Sequence, residues 1–188
     1  MVKVAVLDAC VLYPPALRDL FMWLAVGMVY QPRWTDEIHD EWIRNVRKNR
    51  PDVSLAQLER ARSLMDNIND ESVVKGYEHL ISSLHLPDIN DRHVLAAAIT
   101  ADASLIVTFN LSDFPAAALK PHGVRAVHPD IFLCDLLDDV PGMFLHAIHR
   151  HRASLKKPPK TSREYLDTLS ANGLSKFALR MEQYLDEI

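Results

Sequence analysis

The chain has 188 residues and a net charge of −4, with 48% hydrophobic and 24% charged side chains. That is room for one ordinary domain, or one domain with an appendage, with a core that needs no staples. The balance excludes a disordered chain, and the longest apolar candidate, residues 20–30, falls short of the roughly 18 residues of a membrane span. Met1-Val2-Lys3 lacks a secretory leader's layout. Cys10 and Cys134 are too far apart in sequence for a C-x-x-C knuckle and too few for a disulfide scaffold. A reducing, cytoplasmic setting is therefore expected.

Residues 4–7 are a short apolar run ending at Asp8, which reads as a buried parallel strand. Pro14-Pro15 punctuates, and 16–26 reads as a helix. Thr35 is a natural N-cap, with Asp36 and Glu37 in the first turn of a helix to about 49. Ser54 and Gln57 form a capping box opening a helix to about 68. Residues 71–76 show no clear pattern, and 78–84 is a short helix. After Pro87, a helix starts at Ile89 or Asn90 and runs to 101. Its stretch 94–99 is apolar nearly all round, so it should be deeply packed. Residues 104–109 are a second strand, 110–114 a loop, 115 onward a short helix and 124–127 a third strand. Pro129 suits the first turn of a helix to 137. This alternation predicts an α/β fold with a parallel sheet covered by helices.

Beyond residue 139 the composition changes. Helix 141–155, linker 156–160, helix 161–171 with a Thr161–Glu164 capping box, and helix 174–186 make a helical extension. The expected division is 1–139 and 140–188. Residues 1–138 carry 13 Lys+Arg against 19 Asp+Glu, and 139–188 carry 8 against 6. An acidic body with a basic extension suits a polyanion partner, or else a solvated helix face. His146, His149 and His151 come near metal-ligand spacing, but no further His or Cys joins them.

No Gly-rich phosphate loop, nucleophile elbow or H-E-x-x-H is present. What remains is a set of carboxylates. Asp8 ends the first strand and Asp113 follows the second, so in an open parallel sheet both should face one crevice. Asp88 and Asp91 bracket a helix start, and Glu41 lies two turns into the 36–49 helix. Each also has a plain structural reading: Asp88 a cap, Asp91 a first-turn acid, Asp113 a turn residue, Glu41 a surface acid. Asp8 resists that reading, because a charge among apolar residues is costly to bury without a partner or cation. Clustered carboxylates repel one another, and a hard divalent ion such as Mg²⁺ or Mn²⁺ relieves them while leaving positions open for a phosphate. The pattern suggests metal-dependent phosphoryl transfer.

Four segments carry a family resemblance: Val4-Ala5-Val6-Leu7-Asp8-Ala9-Cys10, Thr35-Asp36-Glu37-Ile38-His39-Asp40-Glu41, Pro87-Asp88-Ile89-Asn90-Asp91-Arg92-His93 with the Ala-rich run after it, and Ile106-Val107-Thr108-Phe109-Asn110-Leu111-Ser112-Asp113-Phe114. Over about residues 2–135 the chain resembles the PIN-domain ribonucleases, particularly VapC-type toxins of toxin–antitoxin pairs. Its extension looks like that of one VapC-like subgroup. The resemblance implies a Rossmann-like three-layer fold, Mg²⁺ or Mn²⁺ dependence, cleavage of RNA, a cognate antitoxin and a homodimer. It assigns the four acids to Asp8, Glu41, Asp91 and Asp113, with Asp88, Asn110 and Thr108 as neighbours. On this reading Asp8, Asp91 and Asp113 hold the ion, Glu41 shares its shell or orients water, and Arg92 and His93 turn away from Asp91. The basic stretches 44–50 and 150–163 are candidates to hold the RNA backbone.

Ala9-Cys10 replaces the family's usual Thr-Asn, a departure beside the first acid. It leaves open a non-catalytic PIN-fold module that binds RNA or protein, against which the four intact acids argue. A haloacid-dehalogenase phosphatase would need an Asp where Cys10 stands.

Overall fold

A computed structural model describes residues 2–188 of the protein. In chain order the elements are β1 (Val4–Leu7), α1 (Ala9–Leu12), α2 (Pro15–Val26), β2 (Gln31–Arg33), α3 (Asp36–Asn49), α4 (Leu55–Asp66), α5 (Glu78–Ile81), α6 (Arg92–Thr100), β3 (Leu105–Val107), α7 (Ala116–Leu119), β4 (Arg125–Val127), α8 (Pro129–Asp139), α9 (Pro141–Ser154), α10 (Ser162–Ala171) and α11 (Ser175–Met181). They fall into two compact units. One takes residues up to 13 together with 31–128, and the other takes 14–30 together with 129–188.

The first unit is built on a parallel sheet of order β2-β1-β3-β4. In β1 and β3 the buried Ala5, Val6, Leu7, Leu105, Ile106 and Val107 give the continuous apolar runs of strands covered on both faces. The sequence does not announce β2, since Gln31-Pro32-Arg33 has no apolar run. It forms by pairing with β1 in the register Val4–Gln31, Ala5–Pro32 and Val6–Arg33. Its outer side is continued by a bridge from Trp34 to Val73, within the stretch that had shown no clear pattern.

Two helices position the site. The α3 helix starts where the Thr35 side chain accepts the Ile38 N–H at 3.1 Å. It buries Ile38, Trp42 and Val46 on one face and turns Glu37, Asp40, Glu41 and Arg44 to another by the i, i+3, i+4, i+7 rule. The α6 helix is buried from His93 through Ala98 and packs on β1 and β3. The expected helix from 89 to 101 divides into a 3₁₀ turn, Ile89–Asp91, and α6 proper.

The second unit is all helical. Its α2 packs on α9 and α10, α8 on α9 and α11, and α10 on α11. Phe21, Tyr30 and Phe132 meet in its core, with Phe21–Phe132 centroids 6.2 Å apart and Tyr30–Phe132 centroids 5.4 Å apart. Gly27 ends α2 where a Cβ would stand 3.0 Å from the Ala147 Cβ of α9. The expected division at 139 and this grouping differ, because α8 shares its apolar face with α9 and α11, and α2 needs α9 for its own.

Candidate active site

The sheet order reverses between β1 and β3, the switch point beyond whose carboxyl ends open α/β sheets place their sites. Asp8 follows β1 there and is 5% exposed, while Thr108 follows β3 and is fully buried. The Thr108 hydroxyl donates to Asp8 Oδ2 at 2.7 Å. The Cys10 thiol donates to the same oxygen at 3.1 Å. Two backbone amides secure the donors: Asn110 N–H donates to Thr108 Oγ1 at 3.0 Å and Phe109 N–H to Cys10 Sγ at 3.4 Å. Burial, then the Asp8 charge, pushes the Cys10 thiol up to about 12, so it stays a donor at neutral pH. Despite the departure at Ala9-Cys10, Cys10 supplies a hydrogen bond to the first acid.

An open crevice of about 580 Å³ lies in the same unit. Glu41 of α3, Asp88 and Asp91 around the 89–91 turn, and Asn110 and Asp113 of the segment after β3 all line it. Of the residues picked out in the sequence, these five are brought to one crevice. Asp8 and Thr108 are not among the lining residues. Asp8 nonetheless raises the carboxyls of both Asp91 and Glu41. Burial, then Asp8, Asp88, Asp113 and Glu41, lifts Asp91 to about 7. Burial followed by Asp8 raises Glu41, and Arg44 partly offsets them. Asp88 also plays the structural role foreseen for it, accepting from the Asn90 N–H at 2.8 Å.

His93, read from the sequence as turned away from Asp91 into a packing or surface role, is a buried residue beside the acids. It is 4% exposed and lines the crevice, with Nδ1 3.7 Å from Glu37 Oε2 and Nε2 3.9 Å from Glu41 Oε2. Burial lowers its pKa. Arg44 and Glu37 also line the crevice, and their α3 spacing with Glu41 was the available signal.

The donors are oxygen-rich and mutually repelling, which suits a hard divalent cation. Among the described residues no three His, Cys, Asp or Glu side chains form a group that could hold a metal ion as they stand. The fit therefore rests on donor chemistry and on the elevated Asp91 carboxyl. Of the three spaced histidines, His151 is engaged elsewhere: it meets Tyr165 OH at 3.0 Å and Asp19 Oδ2 at 3.1 Å, while His146 and His149 are exposed. In the basic stretch of the extension, Arg152 donates to Lys160 O at 2.7 Å, and Arg150 lies 5.2 Å from the Trp23 ring centroid.

A family model described as the VapC50 C-terminal domain matches residues 129–183. A Mycobacterium tuberculosis protein named "Putative ribonuclease VapC50" is 52% identical over 63 residues, 34% of this chain and 37% of the relative. The match thus spans little more than a third of that relative's length. No solved structure matches the chain. A PIN domain family model matches residues 4–112, which hold Asp8, Glu41 and Asp91 and more than half of the sequence. With that match, and the four-stranded parallel sheet, the chain belongs to the PIN-domain family.

Proposed function

We propose that this chain is an endoribonuclease that hydrolyses RNA phosphodiester bonds with a divalent ion, Mg²⁺ or Mn²⁺, and serves as the cytoplasmic toxin of a toxin–antitoxin pair. The observation that carries the reading is that Glu41, Asp91 and Asp113, from separate elements, line one crevice, where Asp8 also raises the carboxyls of Glu41 and Asp91. Asp8, Asp91 and Asp113 would hold the ion with Glu41 in its shell, and such an ion activates water and offsets charge on the leaving oxygen. Thr108 and Cys10 fix Asp8 Oδ2, so that carboxylate is oriented before substrate arrives. The raised Glu41 carboxyl is suited to take a proton from attacking water at Oε2, beside the His93 ring. Arg44, the arginine of the lining, gives the incoming phosphate a cation.

A VapC-type partnership would place an antitoxin against the chain, and a homodimer belongs to the same reading. Among the described residues no helix is long and apolar enough to cross a membrane. The test is incubation with total RNA and defined tRNAs in Mg²⁺, Mn²⁺ or EDTA, beside an Asp8→Asn/Asp91→Asn double variant. Discrete cuts that need metal and vanish in the variant are expected. Folded, antitoxin-free protein that cuts nothing in either metal would sink the reading in favour of a non-catalytic binding module.

A further inference from the structure

A second depression in the first unit is unlike the acidic crevice. It has a volume of about 630 Å³ and is lined by Leu111, Phe114, Ala116 and Val124, with Lys120 and Arg125 also in its lining. Both cations are exposed. Its volume lies within the range of pockets that hold small organic groups.

The two depressions share the segment 110–114. Asn110 and Asp113 line the acidic crevice, while Leu111 and Phe114 line the apolar groove. The two depressions therefore border one five-residue segment, and a strand of RNA can run along it from one to the other. The chemistry is complementary as well. The crevice sets Glu37, Asp40, Glu41, Asp88, Asp91 and Asp113 against Arg44, and so repels a phosphate chain. An apolar floor with lysine and arginine beside it offers what the crevice lacks: a surface for a base and cations for the flanking phosphates.

We infer that this groove is a nucleotide subsite, holding the base of a single-stranded RNA residue beside the scissile phosphate, with Lys120 and Arg125 on its backbone. The inference rests on the ribonuclease reading. An extended peptide is the rival occupant, because β4 is an edge strand. The cations and the shared segment 110–114 favour RNA.

The test begins with the wild-type cut map, which supplies the shortest oligonucleotide cleaved. Binding of that oligonucleotide in Mg²⁺ is then measured in an Asp8→Asn background, with a single abasic position walked along it. One abasic position next to the cut should weaken binding about tenfold. The same abasic position should have no effect once Ala116→Trp fills the groove. Lys120→Glu, at an exposed position, keeps the test open if the tryptophan variant does not fold. It should bind about tenfold more weakly, with a shallower salt dependence and an unchanged melting midpoint. Equal abasic penalties with and without the filled groove, in a protein whose wild type cuts RNA, overturn the subsite and leave the nuclease standing. Loss of antitoxin inhibition in Ala116→Trp, with all oligonucleotides bound as before, also overturns it and gives the groove to a protein. Wild type that neither binds nor cuts RNA removes the nuclease reading and the subsite together.

Discussion

Asp8 is fixed before any ligand arrives, by Thr108 and Cys10 on one of its oxygens. Thr108→Val keeps the shape and deletes the shorter bond to a buried carboxylate. A loss of about 1.5–3 kcal/mol in stability is expected from urea unfolding, with Thr108→Ser near wild type. Asp91 makes a prediction of opposite character. Its carboxyl stands at about 7 in the fold, against 3.8 ordinarily. Between those values the folded chain holds a proton that the unfolded chain releases. The stability this contributes is complete below about 4 and is lost as pH rises through about 7. Asp91→Asn should therefore melt above wild type at pH 8, and the gap should close towards pH 4. Added Mg²⁺ or Mn²⁺ should lift wild type at pH 8 and leave the variant unmoved. A variant that melts below wild type at pH 8 would refute the argument. The acids were legible in the sequence because strand ends and helix faces follow from local pattern. The Thr108–Asp8 bond and the burial of His93 were not, since both depend on what the fold brings alongside.

Helix starts give a similar contrast between near and distant partners. The capping boxes at Ser54 and Thr161 are local, and both form as the sequence predicts. The start of α11 is served from 46 residues away: buried Asp130 of α8 accepts the Lys176 N–H at 3.0 Å and the Phe177 N–H at 2.7 Å. A carboxylate there satisfies amides that have no partner within their own helix and faces the positive end of its dipole. Asp130→Ala should cost about 1–3 kcal/mol, with amide exchange rising first in α11. Asp130→Asn should recover part of the loss. Exchange that rises evenly through the unit would mean that Asp130 does not hold α11 in particular. The same distinction explains β2: three residues with no apolar run become a strand because β1 offers an edge. Such pairing leaves little trace in a single sequence.

At the level of the whole chain, the break in composition near 139 pointed to a helical extension, and helices are what follow. What the composition could not show is that the second unit takes in 14–30 as well. Leu17, Leu20, Phe21 and Leu24 of α2 are fully buried, and their neighbours include α9. A fragment of residues 1–139 keeps all four acids and lacks α9 to α11. It should aggregate, or melt without a cooperative transition, as read by size-exclusion chromatography and calorimetry. A soluble fragment with a sharp transition would show that α2 and α8 settle without the extension.

The split second unit also bears on how the protein is made. The α2 helix emerges early from the ribosome, and Phe144, which lies on the buried face of α9, follows more than a hundred residues later. At about 5–20 residues per second that interval is roughly 6–24 s. During it, α2 carries an uncovered apolar stripe, and by its end the segments bearing Asp8, Glu41, Asp91 and Asp113 have all been synthesised. A nascent chain of this design would call on a holding chaperone in just that window. An interrupted message would release all four acids together with a helix still waiting for its cover.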